Sequence, residues 1–317
     1  MSLRKFLRIA LKAVAVVTVV IVAALATTTI VNASASKSEE SEIKPYGHRV
    51  SVDGKKMNVV VQGDGKDTVV LLPGFGTAAP ALDFKPLVTE LLPHYRVVVV
   101  EPFGYGLSDQ TDKERTTANI TSEIHAALQA SNINSYILMG HSIAGIYGLD
   151  YANKYRDEVK AFVGIDSSVP TQPGMDEQFP IGAMRTAKSL GLTRVLVALS
   201  GDPYAGLPYD DDTKKQMEIL SLKNMLTDSY ASEMKNFGAN FAAGQKQSFP
   251  RDLPVLEFIQ ANNTDVAGWR PLHEEQVASV DHGELIPLDA EHYLHHTKSK
   301  EIAQDLTEFM AGVKQKP

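Results

Sequence analysis

The chain has 317 residues, 44% hydrophobic and 22% charged, with a formal charge of −7 and a pI near 5.7. These proportions exclude a disordered or multiply membrane-spanning protein, and the acidic balance excludes the basic face that a nucleic-acid partner would need. The absence of cysteine removes disulfides, thiolate metal sites and cysteine nucleophiles together.

Residues 1–35 read as a cationic segment followed by a transmembrane anchor or signal peptide. Arg4, Lys5, Arg8 and Lys12 precede an uncharged run from Ala13 to Val31, long enough as a helix to cross a hydrocarbon core of roughly 30 Å. The cations hold the amino-terminal end inside, which places the remainder on the extracytoplasmic side. Ala33-Ser34-Ala35 offers a small-x-small cleavage pattern, so secretion after cleavage is the alternative to a retained anchor. Residues 36–45 are polar and read as a tether.

From residue 46 the chain alternates β-branched runs with helix-length segments, the pattern of a mostly parallel sheet covered by helices. His48–Val52 and Lys56–Gln62 flank Asp53-Gly54 and predict an opening hairpin. Val69–Leu72, Arg96–Glu101, Tyr136–Met139, Ala161–Ile165 and Val255–Ile259 are continuous apolar runs, as expected of strands buried on both faces. Glu284–Leu288 completes an eight-stranded set. Thr117–Ala130, Ile143–Tyr155 and Lys298–Met310 carry helical spacing. Between about 171 and 250 the pattern is helical, broken by Gly201-Asp202-Pro203 and Gly206-Leu207-Pro208, with no convincing strand. It predicts a helical cap inserted after the sixth strand, a lid that shapes a pocket and excludes water.

The chemistry concentrates in Tyr136-Ile137-Leu138-Met139-Gly140-His141-Ser142-Ile143-Ala144-Gly145, an apolar strand running through a serine into a helix. A serine on so sharp a turn needs small residues two before and two after it, and Gly140 and Ala144 supply them. Order and motifs together resemble the α/β-hydrolase superfamily over nearly all of residues 46–310. The resemblance implies an α/β fold, with Ser142 as nucleophile of an acyl transfer. It also makes Leu71-Leu72-Pro73-Gly74-Phe75-Gly76 the loop after the third strand, so that the backbone N–H groups of Phe75 and Ile143 form the oxyanion hole. Pro73 stands where such loops commonly carry His, but no side chain at that position need take part. Glu101 begins a loop that is structural in the family.

Ala290-Glu291-His292-Tyr293-Leu294-His295-His296 is similar to the family's catalytic-histidine loop and makes His292 the general acid and base. His295 and His296 compete with it, or else begin the final helix as polar surface residues. No carboxylate completes a recognisable metal set with the three histidines, and neither metal nor cofactor is expected. The acid that orients the histidine is expected at Asp265, the first carboxylate after the seventh strand, with Asp166 at the end of the sixth strand as the alternative. The implied activity is a serine hydrolase acting on a small-molecule ester. Amide or carbon–carbon bond hydrolysis, or a catalytically silent binding module at the membrane, are the alternatives.

Overall fold

The computed structural model describes residues 3–176 and 178–315. Its helices are α1 (Leu3–Glu40), α2 (Pro80–Asp83), α3 (Lys85–Leu91), α4 (Thr117–Ala130), α5 (Ala144–Lys154), α6 (Ile181–Ser189), α7 (Leu192–Ser200), α8 (Asp211–Asn224), α9 (Asp228–Gly244), α10 (Trp269–Ala278), α11 (Leu294–Thr297) and α12 (Ser299–Gln315). The strands are β1 (His48–Val52), β2 (Lys55–Gln62), β3 (Asp67–Leu72), β4 (Tyr95–Glu101), β5 (Tyr136–His141), β6 (Val159–Ile165), β7 (Val255–Gln260) and β8 (Gly283–Leu288).

The chain forms two compact units, one made of α1 and the chain as far as Ile43 together with Pro180–Ala205, the other of Lys44–Phe179 with Gly206 onward. In the first, the uncharged run stays helical with none of its residues buried, and its 19 residues give roughly 28 Å of apolar helix. It is long and apolar enough to cross a membrane. The helix does not stop at the expected tether but continues through Ser36 to Glu40. There Arg194 of α7 reaches it, donating from Nη2 to Glu39 Oε2 at 2.8 Å.

In the second unit all eight strands form one sheet, ordered β1-β2-β4-β3-β5-β6-β7-β8. β1 and β2 pair antiparallel, as do β2 and β4, and every other pairing is parallel. Asp53 and Gly54 take φ of 50° and 77°, the left-handed geometry of a two-residue hairpin turn. The central strands are buried on both faces, so successive residues alternate between two cores. Val70, Leu72 and Leu138 join the core under α4 and α5, while Val69, Leu71, Ile137 and Met139 join the one under α3 and α12. The winding reverses between β3 and β5, whose carboxyl ends lie side by side with Leu72 opposite Gly140. Such a reversal opens a crevice beyond the strand ends, where ligands bind in open α/β sheets.

The helical insertion after β6 is present, and α8 and α9 pack on the sheet unit through specific bonds. Asn224 Nδ2 donates to the carbonyls of Ala78 at 3.2 Å and Gly106 at 3.0 Å. Asn240 Oδ1 accepts from the Thr117 N–H at 2.8 Å.

Glu101 is fully buried and binds the loops at the strand ends together. It accepts from Tyr46 Oη (2.8 Å), Asn58 Nδ2 (2.9 Å) and the Leu107 N–H (2.8 Å). Burial pushes its carboxyl upward, and these donors pull against that shift. Glu101→Ala would strand these donors and the Ala81 N–H, which also bonds the carboxylate at 3.3 Å, and we expect a loss of stability on the order of 3 kcal/mol, read from urea denaturation midpoints. A variant as stable as wild type would show that the loops hold without this carboxyl.

Candidate active site

Ser142 follows β5 and adopts φ of 53°, a left-handed conformation that costs a non-glycine residue on the order of 1–2 kcal/mol. The surrounding chain holds it there. Its N–H donates to Ile165 O at 3.2 Å, and its own carbonyl accepts from Gly145 (2.9 Å) and Ser168 (2.8 Å). The space is as tight as the motif requires. A Cβ on Gly140 would lie 3.0 Å from Ala144 Cβ, and one on Gly145 would lie 2.4 Å from Ser168 O. Ala144 therefore occupies the second small position without collision. Ser142 is only partly exposed.

The loop after β3 passes directly over this turn. A Cβ on Gly74 would fall 2.6 Å from His141 Nδ1 and 3.0 Å from Ser142 Cβ, so only glycine allows the approach. Among the described residues, neither the Phe75 N–H nor the Ile143 N–H donates to a protein acceptor, which leaves both donors available. The Phe75 ring faces α9, with ring centroids 4.6 Å from Tyr230 and 5.8 Å from Phe237. Phe237 in turn meets Phe179 at 6.0 Å, extending the apolar wall.

His292 lies in the loop between β8 and α11, and its Nδ1 donates to Asp166 Oδ2 at 2.6 Å. Asp166 also has positive φ, 45°, and is fully buried. Its other oxygen accepts from the Gln260 N–H at 2.8 Å and from Trp269 Nε1 at 2.8 Å. With the Nδ1 proton committed to the carboxylate, Nε2 is the ring nitrogen left to accept a proton. His292 keeps 44% of its side-chain surface exposed, so a substrate can reach it. Its backbone is anchored to the serine turn, because His141 Nε2 bonds to His292 O at 3.2 Å. Burial holds His141 well below the usual imidazole range. A carbonyl only accepts, so the neutral ring carries its proton on Nε2.

The expectation for the acid is corrected. Asp265 is exposed in the loop after β7, where Asn263 Oδ1 accepts from the Asp265 and Val266 N–H groups at 3.0 and 2.9 Å. That side-chain turn bends the loop locally, while the Trp269 indole and the Gln260 N–H are aimed at Asp166. The structure thus brings Asp166, not Asp265, to the imidazole. Nothing in the chain signalled Trp269 or Gln260, since their donors meet Asp166 only through tertiary packing.

The expectation for His295 as a surface residue is also corrected. His295 is fully buried in α11 and His296 nearly so, and their Nε2 atoms bond the two oxygens of Asp83 at 2.7 and 2.9 Å. Burial alone would push the Asp83 carboxyl up, but the two imidazoles outweigh it and hold it below the usual carboxylate range. Asp83 on α2 supplies a carboxylate to this pair, and the three ligand atoms lie within 4.8 Å of one another. They could hold a metal ion, but here each imidazole is engaged with one carboxylate oxygen, which ties the histidine loop to α2.

A second buried carboxyl stands beside Asp166. Glu257 on β7 accepts from Ser167 Oγ at 2.8 Å, while its other oxygen has no partner. Burial raises its pKa to about 8, helped by the neighbouring Asp166 charge.

A family model described as the alpha/beta hydrolase fold matches residues 67–253. The uncharacterized protein YbdG of Bacillus subtilis is 31% identical over 227 residues, which cover 69% of this chain and 70% of that protein. The 2-hydroxy-6-oxo-6-(2'-aminophenyl)hexa-2,4-dienoic acid hydrolase of Metapseudomonas resinovorans is 24% identical, covering 72% of this chain and 78% of the relative. Among solved structures, a bacterial membrane phospholipase A superposes with a TM-score of 0.60 at 18% identity, over 99% of this chain and all of that one. At that identity the likeness shows the fold.

The raised Glu257 pKa carries a pH signature. The folded chain keeps this proton where the unfolded chain, with its ordinary value of 4.5, has lost it. Folding therefore takes up a proton between about pH 4.5 and 8, and stability falls as pH rises through that window, by up to about 1.4 kcal/mol per unit. Glu257→Gln should flatten this decline in urea midpoints measured from pH 5 to 8. An unchanged slope would mean that Glu257 is ionised in the folded protein.

Proposed function

The chain belongs to the α/β-hydrolase family and is a hydrolase, and from that premise we propose that it cleaves carboxylic esters through an acyl-enzyme on Ser142. His292 Nε2 removes the hydroxyl proton as Oγ attacks the substrate carbonyl, and the carbonyl π electrons move onto oxygen. The N–H groups of Phe75 and Ile143 hold that oxyanion. The tetrahedral intermediate collapses, and the leaving alkoxide takes the proton from His292. A water molecule, deprotonated by the same nitrogen, then attacks the acyl-serine, and the second intermediate collapses to the acid as Ser142 Oγ leaves and takes the proton back from His292. Asp166 fixes the ring orientation and stabilises the imidazolium.

The reading rests on one observation above the others, the 2.6 Å bond from His292 Nδ1 to the buried Asp166. That bond supports the proton-accepting role of Nε2, because it occupies Nδ1. Serine favours acyl transfer over the alkyl displacement that an aspartate at this turn would perform. The apolar wall of Phe75, Tyr230 and Phe237 suits an apolar acyl group, in keeping with a fold neighbour named as a phospholipase.

The same reading takes α1 as a retained membrane anchor, with the hydrolase domain on the extracytoplasmic side as the amino-terminal cations dictate. Cleavage at Ala33-Ser34-Ala35 would cut a continuous helix. It would also strip Lys188 and Leu190 of the bonds that Asn32 and Thr28 make to their carbonyls.

A fluorophosphonate should label Ser142 in the wild type. The label is expected to vanish in Ser142→Ala and to fall steeply in His292→Ala. In p-nitrophenyl ester turnover, Asp166→Asn should lower kcat by on the order of 10³-fold or more, with Asp265→Asn close to wild type. A folded wild-type protein that neither takes the label nor turns over esters would overturn the mechanism, and equal rates for the two aspartate variants would overturn the role of Asp166.

A further inference from the structure

In the unit built on α1, α6 and α7 form a helical hairpin whose apex is seated against the anchor. Gly191 at that apex has φ of 77°, and a Cβ there would lie 2.4 Å from Thr28 O and 3.0 Å from Asn32 Cβ. Thr28 Oγ1 donates to Leu190 O at 2.7 Å, and Asn32 Nδ2 donates to Lys188 O at 3.4 Å. Thr28 and Asn32 bracket the end of the uncharged run at Val31. α7 therefore departs from α1 at the level where apolar helix gives way to polar helix. Beyond it, Arg194 turns to the polar part, donating from Nε to Asn32 Oδ1 at 3.2 Å as well as to Glu39.

The other face of α7 is apolar and uncovered. Leu192, Val195, Leu196 and Leu199 recur at i, i+3, i+4 and i+7, one stripe of a helix, and they are 40%, 40%, 66% and 80% exposed. Scattered surface leucines are ordinary, but a contiguous apolar stripe marks an interaction surface. Its surroundings identify the occupant. The stripe starts at Leu192, next to Gly191, which sits against Thr28 and Asn32 near the end of the exposed apolar run of α1, where Val19 and Ile30 are 67% and 66% exposed.

We propose that the Leu192–Leu199 face of α7 lies in the bilayer interface beside α1, with lipid acyl chains as its partner. It is a second membrane contact, which holds the α6–α7 hairpin down on the surface. An amphipathic helix so placed sinks its apolar face about 5–10 Å into the headgroup–acyl boundary. Arg194, engaged with Glu39, marks the side that stays toward water. The proposal rests on α1 being the anchor, so its test must separate the two.

The chain contains no cysteine, which makes single-site labelling direct. Val19→Cys, Leu196→Cys, Leu199→Cys and Lys300→Cys would each be labelled with a nitrobenzoxadiazole dye in the full-length protein. Each would be reconstituted into phosphatidylcholine–phosphatidylglycerol vesicles, with thermal melting to confirm the fold. Vesicles carrying lipids spin-labelled on the acyl chain should cut emission at positions 19, 196 and 199 to roughly half or less, and leave position 300 unchanged. Quenching at 19 alone, with 196 and 199 open to aqueous iodide, would overturn the proposal while the anchor stands. No quenching at any position would overturn the anchor and the proposal together. Dyes at 196 and 199 shielded from both lipid quencher and iodide would mean that protein, such as a second copy of the chain, covers the stripe, which also overturns it.

Discussion

The candidate site is organised around a single buried carboxylate. Asp166 has no exposure to solvent, and an ion in that position is tolerated only if protein donors replace the water it has lost. The donors come from three separate segments: the Gln260 N–H at the end of β7, the Trp269 indole at the start of α10 and His292 after β8. Satisfying this one charge therefore fixes where the loops after β7 and β8 must lie. The imidazole is carried into place as one of the three donors.

Strain at the serine turn is held by the same sheet. Ser142 and Asp166 both adopt left-handed backbone conformations at the ends of the adjacent strands β5 and β6. They are cross-linked through the Ser142 N–H to Ile165 O and the Ser168 N–H to Ser142 O. Neither geometry would persist in a loose loop, since each costs on the order of 1–2 kcal/mol. Parallel pairing of β5 with β6 offsets both together. Surrounding buried polar groups serve the same end by different means. Glu101 gathers loops by accepting hydrogen bonds, Asp83 anchors His295 and His296, and His141 holds the carbonyl of His292. The common element is a polar group that must find partners in the interior and thereby constrains the backbones that supply them.

Much of this was legible in the chain before its structure. Strands covered on both faces are written as unbroken apolar runs, so the central strands could be placed to within a residue or two, and Asp53-Gly54 identified the opening hairpin. The serine turn was readable because its steric demand falls on residues adjacent in sequence, Gly140 and Ala144. The short helices α2, α3, α10 and α11 left little periodic trace, as helices of four to ten residues owe their formation to packing more than to propensity. α1 runs past its apolar segment because the polar residues after it find partners on α6 and α7, which composition cannot express.

By itself, then, the sequence determined the fold class, the sharp serine turn that makes Ser142 the candidate nucleophile, the loop that carries His292 and a helix apolar enough for a bilayer, because each depends on local pattern or on steric needs between near neighbours. Only the tertiary structure decided that Asp166 rather than Asp265 meets His292, that His295 and His296 are buried against Asp83, and that α7 departs from α1 at the end of its apolar run. Those outcomes rest on hydrogen bonds and close contacts between residues more than a hundred positions apart. Such pairings are chosen by which donors and acceptors the packed sheet and helices bring within about 3 Å, a distance that no linear spacing encodes.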